Sequence, residues 1–219
     1  MQLAMISRRS LNGSLTVVGD LAQATGPWAP SDWSDVTRHL PDKGTRVVGL
    51  SVGYRIPSQI MQLADRVMHA ATPGLRPPQA VRVGDSSPRV VAAASREALG
   101  AAVAAATVAM LDDGRGAGVP SVAVIAADTM VDEVALALDA AGIPHGRATT
   151  AGLEGQVTVV PISVAKGLEI DGVVVVEPAQ IVESEIQGLR ALYVALTRPT
   201  QHLTIVHAEA LPAPLAEGV

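Results

Sequence analysis

The sequence predicts an α/β fold, a mainly parallel, doubly wound sheet with helices on both faces. Three observations predict it. The runs SVAVIAA (121–127), VTVVPI (157–162), VVVVE (173–177) and LTIV (203–206) have the length of strands. The third is apolar on both faces, which marks a strand covered by helices above and below. Between these runs lie segments with apolar residues at helical spacing, bounded by start and stop signals. Strand and helix then alternate along most of the 219 residues, with no internal repeat and no low-complexity tail, as in a parallel sheet with crossover helices.

Each element has its own local reason. Residues 1–13 (MQLAMISRRSLNG) read as the end of a helix stopped by Asn12-Gly13. Leu15 to Gly19 (LTVVG) is predicted as a short buried strand. Asp20 would then sit at its carboxyl end, the edge where open α/β sheets bind ligands. Residues 21–44 form a loop rich in Pro, Gly and Trp with a short helix near 32–40, and Arg46 to Leu50 is a second apolar run. Pro57 suits the first turn of a helix carried by Ile60, Leu63, Ala64, Val67 and Met68 and stopped by Thr72-Pro73-Gly74. Residues 72–88 read as a Pro-rich loop.

Arg89 to Ala93 is a predicted strand, and Ser95 caps a helix running to about Asp112. After the strand at 121–127, Thr129 with Asp132 opens a helix closed by Gly142. Strands follow at 157–162 and 173–177. Glu185 to Thr197 reads as a helix ended by Pro199, and Leu203 to Val206 as the last strand.

Composition narrows the function. With 48% hydrophobic and 17% charged residues the chain has enough apolar content for a core and is not disordered. A net charge of −5 gives no broad basic face for nucleic acid. The absence of cysteine excludes disulfides and cysteine metal sites and fits a reducing compartment. No residue is assigned to a metal. No apolar run approaches the length of a bilayer span and no basic-then-apolar leader opens the chain. The expectation is a soluble, cytoplasmic protein with no membrane partner. With two Trp, two Tyr and no Phe, the core must be packed with aliphatic residues. The four rings therefore become candidates for stacking.

Four polar clusters stand against the apolar runs: Gly19-Asp20-Leu21-Ala22-Gln23 with Trp28 beyond it, Tyr54-Arg55, Lys166-Gly167-Leu168-Glu169, and Arg190 with Tyr193 and Thr197-Arg198. Singly, each has an ordinary structural explanation. Arg198 at a helix end could bond the helix's own carbonyls. Tyr54 could be a packed ring, Trp28 a loop anchor, and Lys166 with Glu169 a surface pair of little weight.

Together, their order and spacing resemble superfamily 1 helicases of the UvrD/Rep/PcrA type. VGDLAQ followed by Trp28 resembles the family's VGDxxQ…W, and LSVGYRIPSQI its L-x-x-N-Y-R-S-x-x-x-I. ISVAKGLEID resembles H-x-x-K-G-L-E-F-D, and LRALYVALTR resembles R-x-L-Y-V-A-x-T-R. The resemblance runs from about residue 1 to 208, and the wording around VGDLAQATGPW is nearest the HelD branch, which associates with bacterial RNA polymerase.

The resemblance implies a RecA-like, P-loop NTPase-type fold and an ATP cleft shared between two lobes. Residues 1–44 would end the first lobe and lead into a linker, 45–210 would form the second lobe, and 211–219 a tail. It implies that Gln23, Arg55 and Arg198 act at the γ-phosphate, that Tyr54 stacks on the nucleotide base, and that Gly167 and Glu169 belong to the nucleotide side, Glu169 at the ribose. It assigns Trp28, Ser163 and Lys166 to a nucleic-acid strand. The implied partners are an N-terminal RecA-like lobe of the same protein, single-stranded or duplex DNA, and RNA polymerase. ATP and Mg²⁺ are implied for the full-length protein, with neither held tightly by this fragment.

Elementary chemistry fits those roles. Phosphoryl transfer spreads negative charge over equatorial oxygens, which a planar, permanently charged guanidinium stabilises. Delivering it from a second lobe makes hydrolysis conditional on closure.

The sequence also departs from the family pattern. It has no G-x-x-x-x-G-K-[ST] loop and no Asp-Glu pair after a strand, so the expectation is a fragment of a larger ATPase, inactive alone. Pro161 and Ser163 stand where the family has Thr and His, and Gly53 where it has Asn. Those changes favour, beside the helicase reading, a HelD-like remodelling factor that uses ATP without processive unwinding. A stand-alone α/β domain without a motor partner is the third reading.

Overall fold

A computed structural model describes residues 2–10, 12–41, 44–114, 121–148 and 155–217. In chain order these form α1 (Gln2–Arg9), α2 (Trp33–Thr37), β1 (Val52–Gly53), α3 (Ser58–Ala71), β2 (Gln79–Ala80), β3 (Arg89–Ala92), α4 (Leu99–Gly114) and β4 (Val122–Ala126). They continue with α5 (Val131–Ala140), β5 (Gly146–Arg147), β6 (Val157–Pro161), β7 (Ile170–Val176), α6 (Pro178–Ser184), α7 (Gly188–Leu196), β8 (Pro199–His207) and α8 (Ala213–Ala216).

The main sheet has six strands in the order β3-β8-β7-β4-β6-β5, and every pair is parallel. α4 packs on α5, whereas α3 packs on α7 and α8, and α6 on α7, so two groups of helices flank the sheet. β4 is buried along its whole length and β7 at all but Asp171, as continuous apolar strands with helices on both faces require. β1 and β2 pair in a separate two-stranded parallel ladder, Val52 with Gln79 and Gly53 with Ala80.

The expected strand at 15–19 does not form. That stretch runs without a pairing strand, Val17 is 38% exposed and Val18 85% exposed. The second apolar run, 46–50, is likewise unpaired, with Leu50 82% exposed. Pattern alone cannot make a strand, because its backbone groups need a neighbouring ladder, and among the described residues no strand lies beside either run.

The helix expected over 185–197 is α7, which starts three residues later, and a separate helix that was not expected, α6, precedes it. α6 begins at Pro178, whose fixed φ suits a first turn, and ends at Ser184. The chain then turns so tightly that a Cβ on Gly188 would lie 2.0 Å from the carbonyl oxygen of Val182. A glycine is required there, and it starts α7. β7 and β8 begin earlier than predicted, at Ile170 and Pro199, because Asp171-Gly172 and Thr200 to His202 interrupt the apolar runs that signalled them. Gly142, at φ 67°, closes α5 as expected. The loop at 72–88 contains β2, and within the predicted tail α8 buries Leu215 against the body. Residues 218 and 219 of that tail lie outside the described residues.

Candidate functional site

β7 and β8 start side by side, with Ile170 opposite Pro199. The residues just before them, Glu169 and Arg198, are thereby brought to the same amino-terminal edge of the sheet. The loop holding Gln23 and the residue after Tyr54 reach this edge from outside the sheet, and a hydrogen-bonded cluster results.

Arg198 is its centre. It is 2% exposed, and its guanidinium is satisfied on every side. Nε donates to the carbonyl of Val194 at 2.9 Å and Nη1 to the carbonyl of Leu168 at 3.2 Å. Nη2 donates to Thr197 Oγ1 at 3.1 Å and to Gln23 Oε1 at 3.2 Å. The structural explanation of Arg198 is thus half met, since Val194 belongs to its own helix, but Leu168 and Gln23 do not. Burial, and then the positive charge of Arg55, lower its pKa to about 10, against the pull of Tyr193, Glu169 and Asp20. It remains a cation at neutral pH.

Gln23 is held at three points. Its Nε2 donates to Asp20 Oδ2 at 2.8 Å, its Oε1 faces Arg198, and its main-chain carbonyl accepts from Lys166 Nζ at 2.8 Å. Asp20 Oδ1 also accepts from the Ala22 amide at 2.9 Å, closing the turn that presents Gln23. Asp20 thus acts as a turn residue, not as the end of a strand.

Arg55 forms an ion pair with Glu169 through Nη1 and Oε1, and its Nη2 donates to the carbonyl of Thr197 at 3.4 Å. Its own carbonyl accepts from Arg82 Nη1 at 3.0 Å, a support that nothing in the sequence pattern signalled. Lys166 and Glu169 are therefore not paired with each other. The turn between them depends on Gly167, whose φ of 87° other residues rarely adopt.

The remaining candidates lie outside the cluster. Tyr54 is 73% exposed beside Arg55, and Trp28 is 94% exposed at the tip of its loop, so neither is a packed anchor. Ser163 is exposed, and its amide donates to Asp128 Oδ1 at 3.2 Å, away from the cluster. Burial, and then the charge of Asp128, raise the pKa of Glu185.

Arg190 is a contact that sequence reasoning left without a role. Buried on α7, it donates through Nη1 to the carbonyls of Ala24 and Pro30, at 3.2 and 3.4 Å. Its place in LRALYVALTR marked it, but only the fold shows what it holds. Glu177 gave no signal at all. It is fully buried at φ 48°, and its carboxylate accepts the amides of Ala208 and Glu209, fixing the exit of β8.

A cavity of about 470 Å³ opens between the two unpaired runs, lined by Leu15, Val17, Trp33, Val36, Val47 and Val48. No described helix is long and apolar enough to cross a membrane.

No protein-family model and no curated protein matches the sequence. Among solved structures the chain is similar to the C-terminal domain of a possible DNA helicase from Lactobacillus plantarum WCFS1. The match has a TM-score of 0.58 and 27% identity, and covers 75% of this chain and 93% of the other. The parallel six-stranded sheet, its flanking helices and this likeness agree on a RecA-like α/β fold.

Proposed function

We propose that the chain is the C-terminal motor lobe of an ATP-dependent DNA helicase or translocase. In this reading it supplies Arg55, Arg198 and Gln23, with Tyr54 as a base platform, to an ATP cleft shared with an N-terminal lobe. One observation carries the reading: two guanidinium groups and a glutamine amide, far apart in sequence, meet at one edge of the sheet. That cluster suits a triphosphate. Its cations are compensated by neutral carbonyls and by two carboxylates, Asp20 beside Gln23 and Glu169 in a partly exposed pair with Arg55. Such an exposed ion pair contributes about 0–1 kcal/mol, so an entering phosphate or ribose can replace it at small cost. Nothing here is assigned to Mg²⁺, which the other lobe would hold with the phosphates.

The likeness to a possible helicase's C-terminal domain supports the same reading. So do the exposed apolar runs at 15–18 and 46–50, which a partner sheet would pair and cover. The test is nucleic-acid-stimulated ATP hydrolysis by the full-length protein. Arg198→Ala should reduce turnover by roughly 10³-fold or more, the scale on which arginine fingers act. Near-normal turnover would remove the assignment.

A second reading, a HelD-like factor that remodels RNA polymerase without processive unwinding, is favoured by the surroundings of Ser163. Asp128 and Glu185 lie where the family resemblance would place a strand contact, and their carboxyl groups are poor company for backbone phosphates. Strand displacement by the purified full-length protein, measured beside polymerase capture, separates the two. ATP-driven unwinding without polymerase removes the second.

A further inference from the structure

We infer that Arg190 is a positioning residue for Trp28. It staples both ends of the loop that carries this ring onto α7, the helix that leads into Arg198. The inference rests on the helicase reading only for what Trp28 meets. The staple itself follows from geometry. One guanidinium nitrogen, Nη1, donates to the carbonyl of Ala24 before the loop tip and to that of Pro30 after it. Between those points the chain makes a turn closed by the Ala29 amide on the Gly26 carbonyl at 3.0 Å, and Trp28 projects from it almost fully exposed.

The chemistry of Arg190 is not that of a structural ion pair. It is 7% exposed, its Nε has no partner, and among the described residues no carboxylate neutralises it. Burying an unpaired cation is costly, and hydrophobic residues of similar volume commonly replace such groups without loss of stability. What the arginine provides instead is reach. A methionine could fill the space, but it could not hold two carbonyls on opposite arms of a loop.

The consequence is a mechanical link. Arg190 lies six residues, about 9 Å of helix rise, before the end of α7, and Arg198 follows just past the helix cap. One end of this strut holds the Trp28 loop and the other contacts Gln23. A ring displaced by a nucleic-acid strand would therefore pull on the element that bears Arg198.

Hydrogen exchange on this chain, comparing Arg190→Met and Arg190→Lys with the parent, tests the staple. Arg190→Met should speed exchange of the Ala29 amide at least tenfold while leaving β7 and β8 unchanged. Arg190→Lys, which keeps a donor, should fall between. Unchanged exchange at Ala29, or equal acceleration throughout the sheet, would overturn the inference.

Fluorescent oligo(dT) binding by the full-length protein then tests the purpose. Trp28→Ala should weaken binding roughly 5- to 150-fold, the range of base stacking. Arg190→Met should weaken it comparably, and the double variant no further than Trp28→Ala. Losses that multiply would show that Arg190 does not act through the ring. If Trp28→Ala leaves binding unchanged while the loop still loosens in Arg190→Met, the strand-facing role of Trp28 fails and the staple stands.

Discussion

Replacing Arg198 by methionine should separate stability from function more sharply than any other change in the molecule. Its pKa, lowered to about 10 by burial and then by Arg55, means that holding the charge in the fold costs about 3 kcal/mol. The sign is that of a cation disfavoured by folding. The cost is present at every pH below about 10 and is relieved only as the pH rises above that, so a measurement at pH 7 contains all of it. Against it stand the hydrogen bonds to Val194, Leu168, Thr197 and Gln23, each contributing about 1 kcal/mol net. Methionine fills much of the volume, removes the desolvation cost and gives up those bonds. The two effects nearly cancel, and the unfolding free energy should stay within about 1 kcal/mol of the parent. Urea denaturation of this chain followed by circular dichroism measures that. ATP turnover of the full-length variant should meanwhile fall by roughly 10³- to 10⁵-fold. A loss of stability beyond about 3 kcal/mol with turnover retained would make Arg198 a structural residue and refute the reasoning.

Three further outcomes are expected. Burial raises the Asp65 carboxyl to about 6, with His69 opposing, and its Oδ1 has no hydrogen-bond partner. The folded chain thus holds this proton more tightly than the unfolded one, and the cost of ionisation builds between about pH 4 and 6 and persists above. Asp65→Asn should stabilise the chain by about 1–2 kcal/mol at pH 7.5 and hardly at all at pH 4, and equal stability at pH 7.5 would contradict this. Gly167→Ala, at φ 87°, should lower stability by about 1–2 kcal/mol in thermal melts, and an unchanged melt would mean that the turn relaxes freely. Glu169→Gln should change stability by less than about 1 kcal/mol, since its pair with Arg55 is partly exposed, yet weaken ATP binding of the full-length protein in calorimetry. A larger stability loss with ATP affinity intact would place the carboxylate in the fold and not in the site.

Much of the fold was legible because the 173–176 run of β7 is apolar on both faces, a pattern that a covered parallel sheet explains, and because β4 and β6 have the length of strands between helical segments. Elements whose signal depends on partners were not legible. LTVVG has the sequence of a strand, but a strand is a relation between two segments, and the second segment is not among those described. The turn between α6 and α7 went unread, because what requires Gly188, a backbone approach to Val182, belongs to three dimensions. The site divides in the same way. Gln23, Arg55 and Arg198 could be picked out by residue type and position, and the structure joins them through Glu169 and Thr197. Their supports could not be picked out. Lys166 bonds a main-chain carbonyl, Arg82 another, and Arg190 two more, and a carbonyl acceptor leaves no trace in a sequence.

Whether the edge formed by Tyr54, Arg55 and Arg198 faces a nucleotide can be read most directly by photolabelling the full-length protein with 8-azido-ATP and sequencing the modified peptides. The expected result is a label on the peptide carrying Tyr54, suppressed by excess ATP. Labelling confined to peptides outside this chain, with ATP hydrolysis intact, would contradict the shared cleft.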